Sequence, residues 1–98
     1  MAMVIGLLRV EYRLHGNTSL KDKRKVANSL KQKVRNKFNV SIAEDGSEDD
    51  MDRLALAVVS VSNDGKHMQS RLTNCLSMME AVCPEEMVYS DIEFLGPE

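Results

Sequence analysis

The sequence predicts an α+β domain of order β-α-β-β-α-β, in which a four-stranded antiparallel sheet carries two helices on one face. Three observations predict it. Two stretches carry apolar residues at helical spacing, the first opening at Ser19 and the second stopped by Pro84. Each is flanked by segments rich in β-branched residues at strand spacing. The two β-α-β halves are similar in length and meet in an acidic stretch, residues 44–52.

The elements follow in order. Residues 3–14, MVIGLLRVEYRL, form the first strand, because Leu8, Val10, Tyr12 and Leu14 alternate with Arg9, Glu11 and Arg13. Ile5 and Leu7 are apolar on the second face too, so the first half of this strand is expected to be covered on both sides. Gly6 inside the strand points to a close packing contact. His15-Gly16-Asn17 is a turn cluster.

Ser19 and Asp22 stand three apart, a capping-box spacing with Asp in place of Glu. Leu20, Ala27, Leu30, Val34 and Phe38 make an apolar stripe with Val26 at its edge. Asn39 is expected to end the helix in the left-handed region. Val40 to Ala43 is a short second strand, and Glu44 to Asp52 a solvated acidic loop. Leu54 to Val61 is almost wholly apolar, as a central strand buried on both faces would be. Ser62, Asn63 and Asp64 offer an N-cap to a second helix. Met68, Leu72, Cys75, Leu76, Met79 and Val82 line its buried side. Met87 to Leu95 is the last strand, with Val88, Ile92 and Phe94 apolar.

Right-handed crossovers place both helices on one sheet face and make the first and third strands the central pair. This is the ferredoxin-like topology, predicted as a single domain over residues 1–98. The uncovered face then carries Ile5, Leu7 and either Ala55, Ala57, Val59 and Val61 or their alternates. A face that apolar calls for cover, and a symmetric homodimer is the simplest one.

The composition narrows the function classes. Charged residues make up 29% and apolar ones 43%, a globular balance with a largely aliphatic core, since only Tyr12, Phe38, Tyr89 and Phe94 are aromatic. No apolar run reaches the roughly 20 residues that span a bilayer. Met1 to Leu8 lacks a basic leader and a small-residue cleavage site, so a cytoplasmic protein with no membrane contact is expected. Cys75 and Cys83 stand eight residues apart on one helix, about 12 Å by helical rise, too far for a disulfide. Cys75 is expected to be buried and Cys83 more exposed. Charge is lopsided: residues 1–40 hold ten Lys/Arg against Glu11 and Asp22, and residues 41–98 hold three against thirteen acids.

Two blocks carry a family resemblance. Ser19-Leu20-Lys21-Asp22-Lys23-Arg24 is one. Arg35-Asn36-Lys37-Phe38-Asn39-Val40-Ser41-Ile42-Ala43-Glu44 is the other, followed after the loop by Val61-Ser62-Asn63-Asp64. With the opening strand they resemble the YlxP-like family, a bacterial family labelled a domain of unknown function, over about 95 residues of the chain. The resemblance implies a ferredoxin-like fold and no particular activity. Members often sit near genes for translation initiation and ribosome maturation, which implies RNA or ribosome association. Where members tend to carry an Asp-x-Trp-Gln-Arg run, this chain has Asp49-Asp50-Met51-Asp52-Arg53.

The first helix is the strongest chemical signal. Between Lys21 and Lys37 stand eight basic residues and one acid. Arg24, Asn28, Lys31 and Arg35 share one stripe, with Lys21, Lys25 and Gln32 beside it. Phosphates along an RNA backbone would meet such a row. The same row also reads as a solvated face, partly neutralised by the acidic loop. The candidate nucleic-acid or anion-binding residues are Lys21, Lys23, Arg24, Asn28, Lys31 and Arg35, although Lys23 projects near the apolar stripe and also reads as a snorkelling structural residue. The helix N-terminus, with Lys21, Lys23 and Arg24 around it, would suit a phosphate or sulfate. Base stacking on the sheet is not expected, since the central strands offer only Tyr12.

No catalytic cluster appears. Asp45, Ser47 and Asp49 have the opening spacing of a calcium loop, but Asp50 stands where the turn needs Gly and Leu56 where it needs Glu. His15 and His67 have no second ligand at metal spacing. Neither Cys has an adjacent His to activate a thiolate, and Ser60 and Ser62 lack a nucleophile elbow. No metal, cofactor or enzymatic activity is expected. The expected function is a non-enzymatic RNA- or ribosome-associated module, with an oligomeric ligand-binding or regulatory domain as the alternative.

Overall fold

The computed structural model describes residues 3–17 and 19–96; Met1, Ala2, Thr18, Pro97 and Glu98 lie outside the described residues. The elements are β1 (Val4–Arg13), α1 (Leu20–Lys37), β2 (Ser41–Glu44), β3 (Arg53–Ser62), α2 (Gly65–Val82) and β4 (Glu86–Leu95). The strands form one antiparallel sheet in the order β2-β3-β1-β4, the ferredoxin-like arrangement with β1 and β3 central.

Register sorts the side chains. Val10 stands opposite Leu56, Leu8 opposite Val58 and Tyr12 opposite Leu54, so these six share the helix-covered face. With Leu30 and Val34 of α1 and Met68, Leu72, Cys75 and Met79 of α2 they form one continuous core. Tyr12 is fully buried, and its hydroxyl donates to the Met79 carbonyl at 2.9 Å, near the end of α2. The burial that closes Tyr12 to bases also pushes its phenol pKa upward, helped by the charges of Cys83 and Glu80.

Gly6 lies beneath α2. A Cβ at this position would stand 2.6 Å from both Leu72 Cδ1 and Met68 Sδ, so the missing side chain is what lets the helix sit down on β1.

Helix ends follow local chemistry. Ser19 Oγ accepts from Asp22 N at 3.0 Å, and Asp64 Oδ1 accepts from Lys66 N and His67 N. The C-terminus of α1 differs from expectation. Phe38 caps it in extended conformation (φ −126°, ψ 146°) with its N–H on the Val34 carbonyl, and among the described residues no non-glycine residue has positive φ, so Asn39 is not left-handed. The chain enters β2 directly, and the Asn39 carbonyl instead accepts from Ser60 Oγ at 2.8 Å.

The uncovered face carries Ile5 and Leu7 of β1 opposite Val61 and Val59 of β3, with Leu95 of β4 beside Ile5. Its other half is charged: Arg9 faces Asp91, and Glu11 pairs with Arg53 at 3.0 Å. Four burial expectations need correction. The first half of β1 and the end of β3 are covered on one face only, since Ile5, Val59 and Val61 are exposed on the other. Val82 turns toward solvent, and Cys83 is buried because α2 ends against α1. Among the described residues no helix is long and apolar enough to cross a membrane.

Candidate nucleic-acid interface on the first helix

The apolar stripe of α1 fixes the direction of its other faces. Ala27, Leu30 and Val34 are buried, which turns one flank toward β2 and the opposite flank toward α2. Lys21, Arg24, Asn28, Lys31 and Arg35 lie together on the β2 flank. Lys21, Arg24, Asn28 and Arg35 are exposed and Lys31 is half-buried. Arg35 Nη2 donates to the Ile42 carbonyl at 3.0 Å, which tethers this guanidinium to the sheet edge. Among the described residues none of these four cations is in a salt bridge.

Lys23 is different and leaves the candidate set. Its side chain lies on the buried stripe at 1% exposure. The ammonium donates to the Ser47 carbonyl, to the Asp50 carbonyl at 2.7 Å and to Glu44 Oε2 at 2.7 Å. Three acceptors use all three of its protons, so nothing is left for a phosphate.

The same contacts shape the acidic loop. Its acids Asp45, Glu48, Asp49 and Asp52 are exposed, as a solvated loop requires, while the Ser47 and Asp50 carbonyls turn inward over Lys23. Ser47 is fully buried; its hydroxyl donates to Glu44 at 2.6 Å and accepts from Ala55 N at 2.9 Å. Asn17 Nδ2 donates to the Met51 carbonyl at 2.6 Å, and Arg53 holds Asp50 at 3.0 Å. Burial by itself raises the Glu44 carboxyl pKa. The hydrogen bonds from Lys23 and Ser47, with the charges of Lys23 and Lys31, outweigh it and hold Glu44 below the usual value. Among the described residues no group of three His, Cys, Asp or Glu is placed to hold a metal ion.

Sequence reasoning passed over the α2 flank of α1, where Lys25 and Lys33 border a cleft against Val82, Cys83 and Pro84. Helical spacing set Lys25 beside the Arg24 row, but the structure brings it, with Ser29 and Lys33 one turn apart each, to the cleft against α2.

Residues 5–92 match the model of DUF503, a protein family of unknown function. The chain belongs to the DUF503 family. YlxP of Bacillus subtilis (strain 168), described as uncharacterized, is 32% identical to this DUF503 chain over 78 residues, covering 80% of it and 85% of the relative. Two solved structures share the fold only. The de novo designed protein Foldit4 superposes with a TM-score of 0.54 at 11% identity, covering 98% of this chain and 97% of the design. A structural-genomics protein, YJCS, superposes at 0.50 with 9% identity, covering 91% and 96%. Among the described residues no buried side-chain polar atom of this DUF503 chain lacks a hydrogen-bond partner.

Proposed function

We propose that this DUF503 protein is a non-enzymatic, RNA- or ribosome-associated module that contacts phosphate through the β2 flank of α1. The observation that carries this reading is the row Lys21, Arg24, Lys31 and Arg35, of which all but the half-buried Lys31 are exposed and none is in a salt bridge among the described residues. The nearest acids of the loop are spent elsewhere, Glu44 on Lys23 and Asp50 on Arg53. The genomic setting implied by the family resemblance points the same way.

Four phosphate contacts give a log–log salt slope of about −3. The test is binding to ribosomal RNA and to ribosomal subunits across a salt series, repeated with Arg24→Glu, Lys31→Glu and Arg35→Glu combined. The expected result is salt-sensitive binding that the triple variant loses. Binding that ignores the variant overturns the assignment to α1, and no binding to either target overturns the reading.

A second reading rests on the uncovered sheet face. Val61 is 54% exposed and Leu95 50%, and with Ile5, Leu7 and Val59 they make a continuous apolar end. A homodimer packed over this end would cover it. Sedimentation of the wild type and of Val61→Lys tests it: a dimer that the variant splits supports the reading, and a wild-type monomer at high concentration ends it.

A further inference from the structure

The α2 flank of α1 does not contribute to the proposed phosphate row, yet it carries its own cleft. Where α2 ends, Val82 and Pro84 stand off from α1 and leave a half-open cavity of about 280 Å³ walled by Val26 and Leu30. Its volume is near the lower bound for small-molecule sites. Cys83 closes the floor and is buried. The rim is chemically one-sided. Lys25 and Lys33 are the charged residues lining it; no carboxylate lines it, although the chain as a whole is net acidic. Both ammonium groups are exposed, and among the described residues neither is in a salt bridge.

We propose that this cleft binds a small soluble amphipathic anion. A compact apolar body sits against Val26, Leu30, Val82 and Pro84, and its carboxylate, sulfonate or phosphate lies between Lys25 and Lys33. The apolar walls favour burial of the body. The two cations, two turns apart, supply the complement to the charge and exclude cationic analogues. Ser29, midway between them, is the one neutral polar side chain at the rim and is placed to donate to the same group.

The test uses the full chain and amide NMR. Anilinonaphthalene sulfonate is titrated beside its uncharged parent, phenylnaphthylamine. The expected result is saturable binding of the sulfonate with shifts centred on residues 25–33 and 82–84, and much weaker binding of the neutral parent. Lys25→Gln with Lys33→Gln raises the Kd several-fold, and Ser29→Phe, which fills the cleft from an exposed helical position, abolishes binding with the amide spectrum otherwise native. Val61→Lys, on the far side of the sheet, leaves binding unchanged. Equal binding of both probes, shifts on the uncovered sheet face instead, or indifference to Ser29→Phe overturns the proposal.

Discussion

Lys23 Nζ lies 2.7 Å from Glu44 Oε2, with the two side chains 2% and 15% exposed, so an ion pair sits inside the fold and joins the first turn of α1 to the end of β2. A pair at this depth holds little net energy while intact but is costly to halve. Removing Lys23 leaves the Glu44 carboxylate and two loop carbonyls without their donor. Lys23→Ala is expected to lose about 3–5 kcal/mol in urea unfolding. The double variant Lys23→Met with Glu44→Leu is expected to recover part of that loss. A single variant as stable as wild type would show that the loop is not held this way.

The neighbouring cations form the contrast. Arg24 lies one residue on but points into water, so Arg24→Ala is expected to change stability by no more than about 0.5 kcal/mol. Measuring both alanine variants side by side separates the structural cation from the solvent-facing row.

Glu44 also sets a pH dependence. Its folded pKa is held below the ordinary value, so the folded state binds the proton less readily than the unfolded chain. Stability from this group is therefore present at neutral pH. It is lost as pH falls below the ordinary carboxylate range, about 4.3, toward the folded value. Glu44→Gln is expected to flatten the acid limb of a stability–pH curve while leaving its shape above pH ~6 unchanged. An acid limb identical to wild type would remove Glu44 as its source.

Gly6→Ala tests the seat of α2. Both atoms the new methyl would meet belong to fully buried side chains, so neither swings freely out of the way. Overpacking of this kind costs about 1–3 kcal/mol. Adding Met68→Ala is expected to relieve part of the clash while opening a cavity, so the double variant should be more stable than the two single losses summed. Simple additivity in denaturant unfolding would refute the contact.

The cysteines should be silent in the folded protein. Burial pushes the Cys75 thiol up to about 11, and burial chiefly raises Cys83 as well. At pH ~8 both are expected to resist alkylation by iodoacetamide until denaturant is added, when two equivalents react. Rapid labelling of the native chain, read by mass spectrometry, would contradict the buried placement.

Local chemistry in the sequence was enough to determine the element order, both N-caps, the central β1–β3 pair and the close approach at Gly6, because apolar period, capping side chains and a strand glycine act over a few residues. The row Lys21, Arg24, Asn28, Lys31 and Arg35 was legible for the same reason, as helical spacing alone puts those residues on one flank. What lay beyond local reasoning depended on partners distant in the chain. Helical spacing already put Lys23 near the apolar stripe, but the acceptors that bury its ammonium come from a loop 24 residues on, and Cys83 is buried where the end of α2 meets α1. Asn39 does not turn left-handed, since β2 takes up the chain at once and Ser60 claims its carbonyl. Charge and hydrophobicity are properties of a residue, but solvation is a property of its surroundings, and only the tertiary structure decided which cations met water.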